Sequence, residues 1–274
     1  MGCPPRGTSR AGTTRGVIPV SELRIEQLTS PDIARAVAGG MRTAVLPLGA
    51  TEQHGAHLPL SVDSEHADRL GVLVAERLGD ALVLPTVRLG CSAHHLGFAG
   101  TLSLRAETLE AICADCCASL AAHGFRRVLI FSAHIGNYPL LGGIEPKLAA
   151  RLPRDLDVVA FADSAAVLQA WRDAAERVAG LGGRVGGHAD IAESSIMLAV
   201  RPDAVRNDRA AAGFTGPMDD ELLARVFTDG IKAIAPDGVL GDPRGMSSEL
   251  GFACLDAVAD LLAEYATSRY RPLT

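Results

Sequence analysis

The chain has 274 residues, 48% of them hydrophobic and 21% charged, with a net charge of −6. That is the balance of a globular protein, long enough for one large α/β domain. It excludes a basic surface for nucleic acid or anionic membranes, and no apolar run approaches the ~20 residues of a transmembrane helix.

Residues 1–20 mix Arg6, Arg10 and Arg15 with Gly, Pro, Ser and Thr. They read as a disordered tail ahead of one domain over 21–274. Val17-Ile18-Pro19-Val20 is too short for the apolar segment of a signal peptide. The six cysteines suggest no disulfide framework, so a cytoplasmic location is expected. Ser30-Pro31-Asp32 reads as a helix start, with Ser30 as N-cap and Pro at the first position. That helix should end at Gly39-Gly40. The run Ala44-Val45-Leu46-Pro47-Leu48 is a candidate buried strand, broken by Gly49.

The polar cluster after this strand is where ligands bind in open α/β sheets. Glu52 and His54 are two apart, so in extended chain their side chains point the same way. Asp63 can return after a short loop, and His57, Glu65 and His66 are interleaved. Carboxylate with imidazole suits zinc, manganese or iron. Asp63-Ser64 can cap a helix with Leu70, Val72, Leu73, Val74 and Leu78 as its apolar positions, stopped by Gly79. A strand at Ala81–Pro85 follows, and strand–helix–strand predicts a parallel crossover.

The Gly-rich loop from Leu89 to Ser103 carries His94 and His95, read as substrate contacts rather than metal ligands. A helix is expected over Glu107–His123. Its Cys113, Cys116 and Cys117 share a face with Leu109, Ile112 and Leu120, so they read as core packing. A strand at Arg127–Phe131 delivers His134, and one at Leu156–Phe161 delivers Asp163 and Ser164. Residues 165–178 should be helical. Five glycines in Gly180–Gly187 predict either a loop that closes over a substrate or a plain linker, leading to His188 and Glu193. Then come a helix over Asp203–Ala211, a turn at Gly213–Pro217, a helix near 219–229, the segment Gly238–Pro243 and a last helix over Ser247–Tyr265.

In this order the motifs resemble the creatininase family, the creatinine amidohydrolases, over about residues 40–265. The marks are Leu48-Gly49-Ala50-Thr51-Glu52-Gln53-His54-Gly55 with Leu58-Pro59-Leu60 and Asp63, then Ser92–Ser103, Ser132–Asn137, His188–Ser195 and Gly238–Pro243. The resemblance implies a single α/β domain with a mainly parallel four-stranded sheet flanked by helices. It implies two divalent ions (Zn, Mn or Fe) on Glu52, His54, Asp63 and His134, with Asp63 bridging and His188 catalytic. Ser92, His94 and His95 would hold the substrate. Glu193 would complete the ligand shell or orient His188. The implied reaction is hydrolysis of an amide C–N bond in a cyclic amide, formamide or short peptide, by a homo-oligomer.

Three departures bear on substrate. Gly136 stands where creatininase has a second carboxylate ligand, Ala99 replaces a common Pro, and Trp171 is the lone Trp, so the residues that wrap creatinine are missing. Asp237–Pro243 resembles the branch that contains the peptidase of mycofactocin maturation. The competing expectations are a one-metal enzyme and a non-catalytic relative that binds a small molecule or a partner protein.

Overall fold

Thr43–Leu48 forms strand β1, in which every residue is buried. The structure is a computed structural model and describes residues 22–217 and 219–273. The tail read over 1–20 lies outside them. β1 pairs in parallel with β2 (Ala81–Val83) on one side and β3 (Arg127–Ser132) on the other. β4 (Asp157–Ala160) pairs in parallel with β3, giving the order β2-β1-β3-β4. Thr43 is level with Arg127, and Arg127 with Asp157. The strands therefore start together, and the carboxyl ends of β1 and β3 meet at Leu48 and Ser132.

Strand residues alternate between two core layers, as a period of two requires. Val45, Leu129, Phe131 and Val159 pack with α2 (Val62–Leu78), α6 (Ser164–Ala179), α7 (Ile191–Val200) and α10 (Ser248–Arg269). Ala44, Leu46, Leu48, Val128 and Ile130 pack with α1 (Ser30–Ala38), α3 (Ala106–Ala122), α4 (Tyr138–Leu141) and α5 (Ile144–Ala149). Burial on both faces is why β1 and β3 are near-continuous apolar runs. Cys113 and Cys117 sit in the second layer and Cys116 packs against it, the core role expected of them.

Four local expectations are corrected. Thr29, not Ser30, is the N-cap of α1, in a capping box with Asp32. Helix α2 starts at Val62 after Ser61, so Asp63 and Ser64 lie inside its first turn. Neither caps it: the Asp63 carboxylate turns to His54, and Ser64 Oγ donates to the Ala50 carbonyl at 2.9 Å. Residues 203–211 are not an α-helix but two short 3-10 turns, Pro202–Ala204 and Asn207–Arg209. The Arg206 N–H between them donates to the His57 carbonyl at 2.8 Å, which interrupts the local bonding that a continuous helix needs.

The fourth correction concerns the glycines. Part of Gly180–Gly187 is strand β5 (Val185–His188), antiparallel to β6 (Leu240–Gly241). It is neither a lid nor a plain linker. A Cβ at Gly186 would lie 2.5 Å from the Leu240 carbonyl oxygen, so the close approach of β6 demands glycine. Buried Asp190 knits the segment to α7. Its Oδ2 accepts from the Gly186 and Gly187 N–H groups at 2.8 Å, and its Oδ1 from Ala192 and Glu193 at 2.8 and 3.1 Å. The remaining helices are α8 (Asp220–Asp229) and α9 (Ile231–Ile234).

Candidate metal centre

Five chain segments deliver titratable side chains to the carboxyl edge of the sheet. The loop after β1 brings Glu52 and His54, the first turn of α2 brings Asp63, and the loop after β3 brings His134. The end of β5 brings His188 and the first turn of α7 brings Glu193. All six are buried. Asp63 lies between two imidazoles, with Oδ1 3.2 Å from His54 Nε2 and Oδ2 3.4 Å from His134 Nδ1. Glu52 Oε1 is 3.2 Å from His134 Nδ1, and Glu193 Oε2 is 3.6 Å from His54 Nε2. Donor atoms of Glu52, Asp63 and His134 converge within 4.8 Å of one another, as do those of His54, His188 and Glu193.

The imidazoles are oriented by the main chain. His54 Nδ1–H donates to the Glu52 carbonyl at 3.2 Å, His134 Nε2–H to the Cys91 carbonyl at 3.3 Å, and His188 Nε2–H to the Gln53 carbonyl at 2.8 Å. A carbonyl can only accept, so in each neutral ring the other nitrogen keeps a lone pair aimed at the centre. Glu52 Oε1 and Oε2, His54 Nε2 and Asp63 Oδ2 are buried without a hydrogen-bond partner. Unpaired polar atoms in a core are costly. Four of them converging from carboxylates and lone-pair imidazoles fit divalent cations, and the carbonyl bonds supply the usual outer support of ligating histidine.

Electrostatics agree with this. Burial pushes the His54 imidazole down, but Asp63, Glu193 and Glu52 outweigh it and hold it up to about 10. For His134, burial is likewise outweighed by Glu52 and Asp63, which hold it up to about 9. Burial pushes Asp63 up, yet His54 and His134 bring it down to about 2. Burial pushes Glu193 up to about 8. The acid cluster thus draws positive charge toward itself, which protons supply when metal does not.

The second layer rests on Gln53, whose role could not be read from the sequence. Its Oε1 accepts from Gly55 N–H at 3.0 Å, and its Nε2 donates to the Gly238 carbonyl at 3.2 Å, which fixes the amide orientation. The same Nε2 lies 3.1 Å from His95 Nδ1, so His95 accepts there and carries its proton on Nε2. His95 Nε2 lies 3.2 Å from Glu52 Oε1, close to the carboxylate but outside hydrogen-bond geometry. Ser92 is fully buried, with its Oγ 3.3 Å from His134 Nε2. His94 lines the cavity and stacks parallel to His134, ring centroids 5.7 Å apart.

Two histidines of the sequence cluster lie away from the centre. His57 Nε2 pairs with Ser194 Oγ at 2.8 Å, and His66 packs near Trp171 with ring centroids 5.8 Å apart. Asp163 caps α6 by accepting from Ala166 N–H, whereas Ser164 lines the cavity. At Gly136 a Cβ would lie 2.2 Å from His134 Nε2 and 2.7 Å from the Cys91 carbonyl oxygen. The histidine ring occupies the space through which a side chain at 136 would leave the backbone.

The centre opens into a cavity of about 290 Å³. Leu168, Gln169 and Arg172 of α6 and Leu223, Val226 and Phe227 of α8 line it beyond the acid cluster. None was singled out from sequence. Trp171 is 1% exposed in the core and does not line it.

The family model for creatininase, described as creatinine amidohydrolase, matches residues 26–266. The mycofactocin precursor peptide peptidase of Mycobacterium ulcerans (strain Agy99) is 34% identical over 207 residues, 73% of this chain and 74% of that one. The creatinine amidohydrolase of Pseudomonas putida is 31% identical over 261 residues, 88% of this chain and 96% of that one. A solved structure described as creatininase Mn aligns with a TM-score of 0.69 at 26% identity, covering 92% of this chain and 100% of that chain.

Proposed function

The chain belongs to the creatininase family of amidohydrolases, and on that premise we propose that it is a two-metal enzyme that cleaves an amide bond in a short peptide or formamide. Glu52, Asp63 and His134 would hold one divalent ion. His54 and Glu193 would hold the other with Asp63 shared, so that Glu193 on α7 would supply the carboxylate that position 136 lacks. The observation that carries this reading is the placement of Asp63, one oxygen toward His54 and the other toward His134. Bound divalent ions supply Lewis acidity and lower the pKa of water from ~15.7 to about 7.

The residues of the chain then have distinct tasks. His188 presents Nδ1 while Nε2–H stays on the Gln53 carbonyl. Burial and the neighbouring His54 push its pKa well down, which keeps that nitrogen unprotonated. We assign Nδ1 the proton released as water attacks the amide carbon, and its return to the departing nitrogen. His94, on the cavity wall, contacts substrate. Ser92 supports His134, and Gln53 holds His95 beside Glu52.

A peptide or formamide is favoured over creatinine because no Trp lines the cavity and its wall carries Leu168, Leu223 and Phe227. The similarity to a peptide peptidase supports the same choice. Manganese, present in the name of one similar structure, is the first ion to test; zinc and iron also suit these donors. The free cysteines Cys91, Cys113, Cys116, Cys117 and Cys254 accord with a reducing cytoplasm. Exposed Leu96 and Leu102 accord with a homo-oligomer, which light scattering would size.

The test is metal content and turnover together. Wild type should carry about two ions per chain and Glu193→Gln about one. His188→Ala should keep both while its kcat on a peptide or formamide substrate falls about 10²–10⁴-fold. Loss of metal from His188→Ala would make His188 a ligand instead.

A further inference from the structure

The acid cluster and the far wall of the cavity have opposite electrostatic character. Glu52, Asp63 and Glu193 line one part. Arg172 is the one Lys or Arg among the described residues that line the cavity. It is half-buried and makes no hydrogen bond or ion pair through its guanidinium among the described residues. Some arginines pair, as Arg77 does with Asp256 and Asp260, and others, such as Arg69, have no partner among the described residues; what sets Arg172 apart is its place on the cavity. Asp219 also lines the cavity, but it serves as N-cap of α8, accepting from Leu222 N–H at 2.8 Å.

A guanidinium partly withdrawn from water and left unpaired loses hydration without return. Such a group, five donors in a rigid fork, is suited to a carboxylate held by two hydrogen bonds. Its position along the chain fits that use. Ser164 and Arg172 both line the cavity from α6. They are two helical turns apart, about 12 Å, with Ser164 next to the carboxyl end of β4. An extended peptide covers ~3.3–3.6 Å per residue, so a few residues span that length. Arg172 is the one permanently cationic side chain among the described residues on this cavity, so a substrate anion has no other fixed positive partner there.

Resting on the amidohydrolase reading above, we propose that Arg172 binds the terminal carboxylate of the substrate, so that the enzyme selects amides ending in a free carboxylate, such as the C-terminal part of a peptide. Leu168 and Phe227, on the same cavity, contact its apolar side chains. The acid cluster and Arg172 together set the direction of binding, with the scissile amide at the metal centre and the carboxylate at α6. Arg172 is a specificity residue and takes no part in bond breaking.

The experiment pairs binding with turnover. Acetyl-leucyl-phenylalanine and its C-terminal amide are titrated by calorimetry into wild type, Arg172→Ala and Arg172→Lys, each metal-loaded and again with chelator present. Chelator separates a carboxylate held by Arg172 from one held by metal. Wild type should bind the acid about tenfold or more tighter than the amide in both states. In Arg172→Ala the ratio should fall to about one, with Arg172→Lys between, while melting temperatures stay within a few degrees. Equal binding of acid and amide by wild type, no binding of either, or a ratio unchanged in Arg172→Ala overturns the proposal. Hydrolysis of longer acetylated peptides, acid against amide, is then followed by mass spectrometry on the loaded proteins. Acid-selective binding without hydrolysis of any peptide or formamide would sink the amidohydrolase reading and leave the carboxylate site standing. Hydrolysis with no acid preference would sink the carboxylate site alone.

Discussion

The two sides of the cavity are held by different means. On the sheet side, His54, His134 and His188 each spend one ring nitrogen on a main-chain carbonyl, and Asp190 ties β5 to α7 through four N–H groups. On the helix side, Arg172, Leu223 and Phe227 extend from α6 and α8 with part of each side chain open to solvent. The reacting groups thus owe their positions to backbone, and the substrate-facing groups owe theirs to replaceable side chains. Such a division lets one centre serve several amides.

The largest effect should come from the shared carboxylate. Asp63→Ala removes the group between both sites, so turnover should fall by about three orders of magnitude or more. Metal content, measured by elemental mass spectrometry, should fall with it. Retained turnover would break the claim that the sheet side carries the chemistry.

Gly136→Glu is the next test. Restoring a carboxylate there looks like repair, but its Cβ would meet the His134 ring at 2.2 Å. The ring must move off the Cys91 carbonyl. We expect loss of the ion at Glu52, Asp63 and His134 and a stability cost of about 1–3 kcal/mol, read by denaturant melts. Full metal content with an unchanged melting temperature would falsify the crowding argument.

A smaller effect should appear with pH. His54 and His134 are held up to about 10 and about 9, against an ordinary value of 6.5. In chelated protein this raised-pKa contribution to stability is full below pH 6.5 and is lost as pH rises toward 9–10. Metal must displace the same protons, so its affinity should rise with pH over that window, up to about tenfold per unit for each proton displaced. The gap in melting temperature between loaded and chelated protein should widen from pH 6.5 to 9. A constant gap would mean that both rings are already neutral.

The smallest change in activity is expected at Trp171. It adjoins Arg172 in sequence but faces the core. Trp171→Phe should cost about 1–2 kcal/mol of stability and leave kcat/KM within about twofold. A large loss of turnover would mean that the helix side is coupled to the chemistry after all.

What could be read from the sequence follows the same division. β1 and β3 were legible because a parallel strand covered on both faces must be apolar throughout. Glu52, His54 and His134 were legible as candidates because each lies just past a strand end where polar residues break an apolar run, and Asp63 because a short loop returns it to them. β5 was not, since its glycines carry no side-chain pattern; its partner β6 lies more than fifty residues on. The role of Gln53 is set by Gly238, whose carbonyl its amide donates to, and by His188, which donates to its main-chain carbonyl, 185 and 135 positions away. Arg172, Leu223 and Phe227 escaped notice because polar and apolar residues on an amphipathic helix read alike whether they face solvent or an open cavity.

The order in which the ligands occur has a consequence for synthesis. Glu52, Asp63 and His134 all lie within the first 134 residues, on the loops and the helix that follow the paired strands β1 and β3. Glu193 follows Glu52 by about 140 residues, which at ~5–20 residues per second leaves the ribosome roughly 7–28 s later. Gln53 finds its Gly238 carbonyl later still. The growing chain therefore passes through a stage with Glu52 and Asp63 made and Glu193 still to come. On the reading proposed above, the centre is complete only once α7 and the turn at Gly238 have joined the strands made first.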